Sequence, residues 1–117
     1  MERLKHRADF LAAARGAKVQ AGAFVLQARE RGDAAPPRFG FTVSKKVGSA
    51  VERNRVRRRL REVVRRHAAL LPQDGHDYVL IGRRVALHLP FEAMVAEFTG
   101  ALRRLRKKSA GAAEGTV

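Results

Sequence analysis

Residues 49–66 read SAVERNRVRRRLREVVRR, and the spacing within this stretch determines much of the predicted fold. Ser49, with Glu52 three positions later, predicts a capping box in which each side chain accepts a hydrogen bond from the other residue's backbone amide. The apolar residues that follow fall on one stripe of a helical wheel: Val56, Leu60, Val63 and Val64. The stretch is therefore predicted to be a helix docked on a sheet, not a disordered basic tail.

The rest of this helix is predicted to be basic. Its opposite face carries Asn54, Arg57, Arg58, Arg61 and Arg65, and one flank carries Arg55, Arg59 and Arg66. Glu52 and Glu62 are the only acids in the stretch, so they leave most of these arginines without an acidic neighbour. Because the planar guanidinium group matches phosphate oxygens bidentately, this excess of arginine predicts a surface that binds a polyanion.

The composition of the chain narrows the class of protein. Its 117 residues, 45% of them apolar, predict a single domain over residues 1–108, with a small polar tail over 109–117 expected to be disordered. The net charge of +14 is concentrated in residues 45–66 and 103–108, which indicates binding to nucleic acid. No apolar run approaches the roughly 20 residues of a membrane span, and no cysteine is present. We therefore expect a cytoplasmic protein with no membrane partner.

The flanking segments predict an α+β fold of the α/β sandwich type. A short helix is expected from residue 6 to 15, two strands around the turn at 21–22, a half-buried strand at 38–44, a buried strand at 78–82 and an amphipathic helix after Pro90. The order is α-β-β-β-α-β-α, with a mixed four-stranded sheet. Only the connection through the basic helix is expected to be long enough to join parallel strands. Five phenylalanines are assigned to the core by default: Phe24, Phe39, Phe41, Phe91 and Phe98.

The sequence offers no catalytic or metal-ligating constellation. The histidines are scattered at positions 6, 67, 76 and 88, and none forms a His-Glu-x-x-His pattern. The segment SKKVGS, residues 44–49, lacks the spacing of a nucleotide-binding loop, and His76-Asp77 is interpreted as a turn that leads into a strand. We therefore predict no catalytic residue and no metal site in the protein itself.

The segment GFTVSKKVGSAVERNRVRRRLRE, residues 40–62, closely resembles the signature of the protein subunit of bacterial ribonuclease P. The segments RADF at 7–10, FVLQ at 24–27 and DYVLIGR at 77–83 also resemble landmarks of that family, in the right order. The resemblance covers about residues 4–106. It implies an α/β sandwich with a left-handed crossover through the basic helix, against the usual right-handed rule.

The resemblance also implies a function. Members of the family assist removal of the 5′ leader from precursor tRNA, and the cleavage itself is carried out by a catalytic RNA subunit with bound Mg²⁺. The implied partners are that RNA and precursor tRNA, with no obligate protein partner and no cofactor bound by the protein alone.

Two RNA-binding surfaces are implied by the resemblance. The first, for the catalytic RNA and in part the substrate, comprises Lys45, Lys46, Arg53, Asn54, Arg55, Arg57, Arg58, Arg61 and Arg65. The second is a cleft for the single-stranded leader, between the first helix and the sheet, with Phe10, Val25 and Gln27. Relatives often carry aromatic residues at the positions of Ala14 and Gln27, so leader binding is expected to depend more on charge in this chain. Core packing is the alternative role for Phe10.

Two other functions remain open on sequence grounds. A ribosomal or RNA-chaperone protein would share the basic surface but would need no leader cleft. A DNA-binding domain would place the arginine helix in a major groove, but the sequence predicts no partner helix joined to it by a short turn.

Overall fold

Five strands form one mixed sheet in the computed structural model, which describes residues 2–67 and 72–115, and the side chains of 2–67 and 72–107. The strands are β1 (Glu2–Arg3), β2 (Ala17–Gln20), β3 (Phe24–Glu30), β4 (Arg38–Val43) and β5 (His76–Gly82). Their order across the sheet is β1-β4-β5-β3-β2. Strand β4 is parallel to β1 and β5, whereas β3 is antiparallel to β2 and β5. The predicted α+β class with a mixed sheet is confirmed.

The sheet differs from the prediction at its β1 edge. Glu2 and Arg3 pair with Arg38 and Phe39 of β4, and the Leu4 amide donates to the Phe39 carbonyl at 2.9 Å. The prediction of four strands was therefore wrong, because a strand of two residues is too short to show any alternation of apolar and polar residues. The β1–β4 pair is a second parallel pair, but α1, β2 and β3 lie between its two strands in the chain, so it is not formed by a single crossover connection.

Helices cover both faces of the sheet: α1 (Arg7–Ala14) on one, α2 (Ala50–His67) and α3 (Phe91–Gly115) on the other. The apolar stripe of α2 is confirmed, because Val56, Leu60, Val63 and Val64 are fully buried in the main core. Burial of each such side chain stabilises the fold by about 1.5–3 kcal/mol. The docking of this stripe fixes the rotation of α2 and leaves its arginines on the outside.

The aromatic core is smaller than predicted. Phe24, Phe39 and Phe98 are buried, and the rings of Phe24 and Phe98 meet edge to face with their centroids 6.5 Å apart. Phe41 and Phe91 pack against the core but are only partly buried, so they lie at its margin and not, as predicted, inside it.

The basic helix α2 connects two parallel neighbours, β4 and β5, as predicted. The left-handedness of this crossover stays a prediction. The backbone of α3 is helical as far as Gly115. The predicted boundary of the domain at residue 108, with a disordered tail over 109–117, also stays a prediction. In the part of the chain that the structure describes, no helix is long and apolar enough to cross a bilayer.

Candidate nucleic-acid interface

The start of α2 is fixed by the predicted capping box. The Ser49 amide donates to Glu52 Oε1 at 3.0 Å, and the Glu52 amide donates to Ser49 Oγ at 3.2 Å. Gly48 precedes the cap with φ of +152°, and a side chain at this position would collide with the Glu52 carboxylate. The hydrogen bond from the Ser49 backbone is the main cause that lowers the pKa of Glu52. The cap therefore sets the direction in which the basic helix leaves the preceding loop.

Arg84 ties that loop to the helix, and sequence reasoning missed it. Its Nη1 donates to the Val47 carbonyl at 2.5 Å, and its Nη2 lies 3.5 Å from Glu52 Oε2. Val47 ends the 3₁₀ turn Lys45–Val47, which carries the two exposed lysines predicted to bind RNA, Lys45 and Lys46. No sequence signal marks Arg84 as a partner of this loop, because 37 positions separate it from Val47.

Three arginines of α2 are occupied by contacts within the protein. Arg65 and Arg66 donate to Glu62 at 2.6 and 3.1 Å, and these hydrogen bonds lower the pKa of Glu62 to about 2. Arg59 donates to the carbonyls of Ala86 and Leu89 at 2.6 and 2.5 Å. Arg65, a predicted RNA contact, is thus largely neutralised by its own helix, as the i, i+3 spacing with Glu62 could have indicated.

The remaining five arginines of α2, namely Arg53, Arg55, Arg57, Arg58 and Arg61, have no ion pair with any described residue. Arg57 donates to Asn54 Oδ1 at 2.9 Å, a contact that orients the guanidinium group but does not neutralise it. The Nε atoms of Arg53 and Arg61 are buried and have no hydrogen-bond partner among residues 2–67 and 72–107. Burial lowers the pKa of Arg61, and the charges of Arg3, Arg57 and Arg58 lower it further. These predicted residues therefore form an unneutralised cationic surface along α2.

A groove lies between α1, β4 and α2, and Phe10 forms part of its wall. The groove is lined by Arg3, Leu4, Phe10, Phe39, Gly40, Phe41, Arg57 and Arg61. The Phe10 ring lies so close to Gly40 that a side chain at Gly40 would overlap it. The same ring packs against the small cluster of Leu4, Ala13 and Val79 under α1. Phe10 therefore combines a packing role with a partly exposed aromatic surface, so both roles considered for it are compatible with its position.

The comparison with known proteins identifies the family. A family model described as Ribonuclease P matches residues 1–106. The chain belongs to the ribonuclease P protein family. The ribonuclease P protein component of Gluconacetobacter diazotrophicus is 52% identical over 103 residues, which cover 87% of this chain and 89% of that protein. The solved RNase P protein from Thermotoga maritima is 32% identical, with a TM-score of 0.75 over 89% of this chain and 97% of that one. The solved RNase P protein from Staphylococcus aureus is 28% identical, with a TM-score of 0.73 over 88% of this chain and 94% of that one.

Membership confirms the resemblance read from residues 40–62. As a ribonuclease P protein, the chain is a component of a ribonuclease holoenzyme and a partner of its RNA subunit. The five unpaired arginines of α2 include Arg53 and Arg55, which flank Asn54 at the centre of the quoted signature.

The structure places the other two predicted cleft residues of this ribonuclease P protein away from the Phe10 groove. Val25 and Gln27 lie on β3, and β5 separates that strand from β4, which carries Gly40. They share the sheet face that α1 covers, because their partners Ile81 and Val79 pack in the cluster under α1. Gln27 is only 7% exposed, so little of its side chain is available to a ligand. Ala14, one of the positions where relatives often carry an aromatic, is exposed.

A buried acid is the second feature that sequence reasoning missed. Asp77 is fully buried and accepts hydrogen bonds from Arg31 at 2.6 Å and from two nitrogens of Arg38 at 2.8 Å. Burial by itself raises the pKa of Asp77, but the hydrogen bonds from Arg38 and Arg31 outweigh it and the net shift is downward. Asp77 is therefore an ionised anchor for two arginines, which is a structural role.

The described residues do not fit a metal site in the protein. No group of three or more histidine, aspartate or glutamate side chains comes together within residues 2–67 and 72–107 in a way that could hold a metal ion. Two of the acids, Asp9 and Asp77, instead share the arginines Arg29 and Arg38 as partners.

Proposed function

We propose that this ribonuclease P protein binds the RNA subunit through the arginine face of α2 and the single-stranded leader of precursor tRNA beside Phe10. In this way it assists removal of the 5′ leader, while the RNA subunit with its Mg²⁺ carries out the cleavage. One observation carries the proposal: arginines that have no acidic partner among the described residues adjoin a groove bordered by a partly exposed aromatic ring. Its location in the cytoplasm stays a prediction.

The chemistry of the two surfaces supports this division. Guanidinium groups that contact phosphates position an RNA without reading its sequence. Stacking of a base on an aromatic ring contributes about 1–3 kcal/mol and tolerates any base, which suits leaders of variable sequence. An arginine face alone would serve a ribosomal or RNA-chaperone protein equally well, so the groove is the feature that separates the two functions.

The DNA-binding alternative fits the structure less well. Helix α2 is flanked by a 3₁₀ turn and by β4 before it, and it packs on the sheet together with α3. The short-turn helix pair that places a recognition helix in the major groove is not formed by α2 and its neighbours in the described chain.

Reconstitution tests the proposal. The chain is combined with a bacterial ribonuclease P RNA at low Mg²⁺, and cleavage of precursor tRNA is measured for substrates with long and short leaders. We expect the protein to increase the affinity for substrate, and to do so more strongly for the long leader. A ribosomal or chaperone protein would give no gain that depends on leader length. The absence of any gain over RNA alone would contradict the proposal.

A further inference from the structure

Arg3 lies where β1, α2 and the groove meet. The parallel pairing of β1 with β4 sets Arg3 opposite Phe39. The next residue, Leu4, is buried in the cluster under α1, and its amide donates to the Phe39 carbonyl at 2.9 Å. The pairing with β4 and the burial of Leu4 therefore fix the backbone at Arg3. The Arg3 side chain lines the groove from β1, whereas Arg57 and Arg61 line it from α2.

The surroundings of Arg3 are cationic. It lines the Phe10 groove together with Arg57 and Arg61, and it lines an adjoining depression with Arg58, Arg61, Glu62 and Arg65. The Glu62 carboxylate is already occupied by Arg65 and Arg66. Among the described residues, none forms an ion pair with Arg3, Arg57 or Arg61. Like charges held this close destabilise the free protein, so an anion bound between them would stabilise it.

The guanidinium group of Arg61 is also incompletely satisfied by the protein. Its Nε atom is buried and has no hydrogen-bond partner among the described residues, although a buried donor normally has one. Arg3 and Arg61 line both the Phe10 groove and the adjoining depression, so the two side chains lie near one another. Burial, and then the positive charge of Arg3, lower the pKa of Arg61.

We propose that Arg3, Arg57 and Arg61 together bind one phosphate group of the single-stranded leader, at the α2 end of the groove that Phe10 borders. This inference rests on the proposed function and joins its two surfaces into one continuous path. An unpaired strand reaches a recessed site with one phosphate while a neighbouring base stacks on the Phe10 ring. The phosphates of an RNA helix meet instead the exposed arginines of α2, Arg55 and Arg58.

The test compares Arg3→Ala with Lys5→Ala in the reconstituted holoenzyme. Lys5 is an exposed cation two positions away that does not line the Phe10 groove. Affinity for precursor tRNA is measured with a long leader and with a leader of one nucleotide, at several salt concentrations. For Arg3→Ala we expect about a tenfold loss with the long leader, a log–log salt slope reduced by about 0.7, and no change with the short leader. Lys5→Ala should match the wild type, and Arg3→Lys should retain the salt slope.

Two further measurements exclude a structural role. The thermal midpoint of free Arg3→Ala should equal or exceed that of the wild type, because a repulsive charge has been removed. The combined loss in Arg3→Ala/Arg61→Ala should be smaller than the sum of the single losses, because both groups bind the same phosphate.

The outcomes separate this inference from the proposed function. Equal losses with long and short leaders, a lowered thermal midpoint or strictly additive losses would overturn the role of Arg3 and leave the proposed function standing. A wild-type holoenzyme that shows no dependence on leader length would instead overturn the leader-binding part of the proposed function.

Discussion

Replacement of Asp77 by asparagine tests the view that the buried acid serves the fold and not the chemistry. Asp77 is fully buried; its Oδ1 accepts hydrogen bonds from Arg31 and Arg38, and its Oδ2 accepts one from Arg38. Asparagine has nearly the same shape but no charge. Its NH₂ group would be a second donor facing Arg38 Nη2, which now lies 2.8 Å from Asp77 Oδ2.

The size of the effect follows from these contacts. Hydrogen bonds to charged groups contribute about 1.5–3 kcal/mol each, and removal of one member of a buried ion pair costs about 3–5 kcal/mol. Because asparagine keeps one acceptor oxygen, we expect a loss of about 3 kcal/mol in the free energy of unfolding. That loss is a large fraction of the 5–15 kcal/mol typical of a domain, and it corresponds to a fall of about 10 °C in the thermal midpoint.

Urea denaturation of the free protein measures this loss, with Asp33→Asn as the matched control. Asp33 binds the same Arg31 side chain, but it is half exposed, and the carbonyls of Ala35 and Pro36 would continue to hold that arginine. The control should therefore shift the denaturation midpoint far less. Equal shifts for the two variants would refute the reasoning. A loss of RNA cleavage in Asp77→Asn at a temperature where it is folded would also refute it.

The lowered pKa of Asp77 predicts that the stability difference between the wild type and Asp77→Asn depends on pH. The pKa of Asp77 is lowered in the folded protein, so its contribution to stability is fully present above the unfolded value of about 3.9 and is lost as the pH falls through the folded value. The difference in unfolding free energy between wild type and Asp77→Asn should therefore be constant from pH 7 to 5 and should shrink below about pH 4. A difference that grows on acidification would contradict this sign.

Three further predictions concern the RNA surfaces. Arg58→Ala should reduce the log–log salt slope of RNA binding by about 0.7–0.9, whereas Arg65→Ala should leave it nearly unchanged, because Glu62 already neutralises Arg65; an anisotropy titration measures both. Phe10→Leu should lower the thermal midpoint only slightly, because leucine keeps most of the packing under α1, but should weaken binding of long-leader substrates by about 1–3 kcal/mol; equal weakening of leaderless RNA would contradict stacking. Gly48→Ala should lower the thermal midpoint measured by calorimetry, because the added methyl group would collide with the Glu52 carboxylate. An unchanged midpoint would contradict this.

Features that depend on neighbours in sequence were predictable. The capping box joins residues three positions apart, and the buried stripe of α2 repeats within two turns, so periodicity alone located both. The pairing of Arg65 with Glu62 is equally local and was available from spacing. The strand β1 was missed because two residues contain no period, and its parallel partner is 36 positions away in the register Glu2 to Arg38.

Features that depend on the tertiary fold were not predictable. Asp77 meets Arg38 because β4 pairs with β5, and it meets Arg31 because β3, which Arg31 follows, pairs with β5 on the other side. No spacing in the sequence encodes these meetings. The family resemblance placed Val25 and Gln27 beside the first helix, and they do share the sheet face that α1 covers, but the sequence could not show that Gln27 is buried there.

The division of the α2 arginines shows why charge counting overstates an interface. Counting acids within the helix identified an excess of cations but could not say which arginines carry it. Arg59 is engaged by backbone carbonyls of Ala86 and Leu89, neutral partners that no charge balance includes. Arg3 joins the cationic cluster from outside residues 45–66 and 103–108, the two segments in which the sequence concentrates its positive charge. The RNA surface is therefore defined by which guanidinium groups the fold leaves without a partner, and that selection depends on contacts from β1, α2 and the turn after β5.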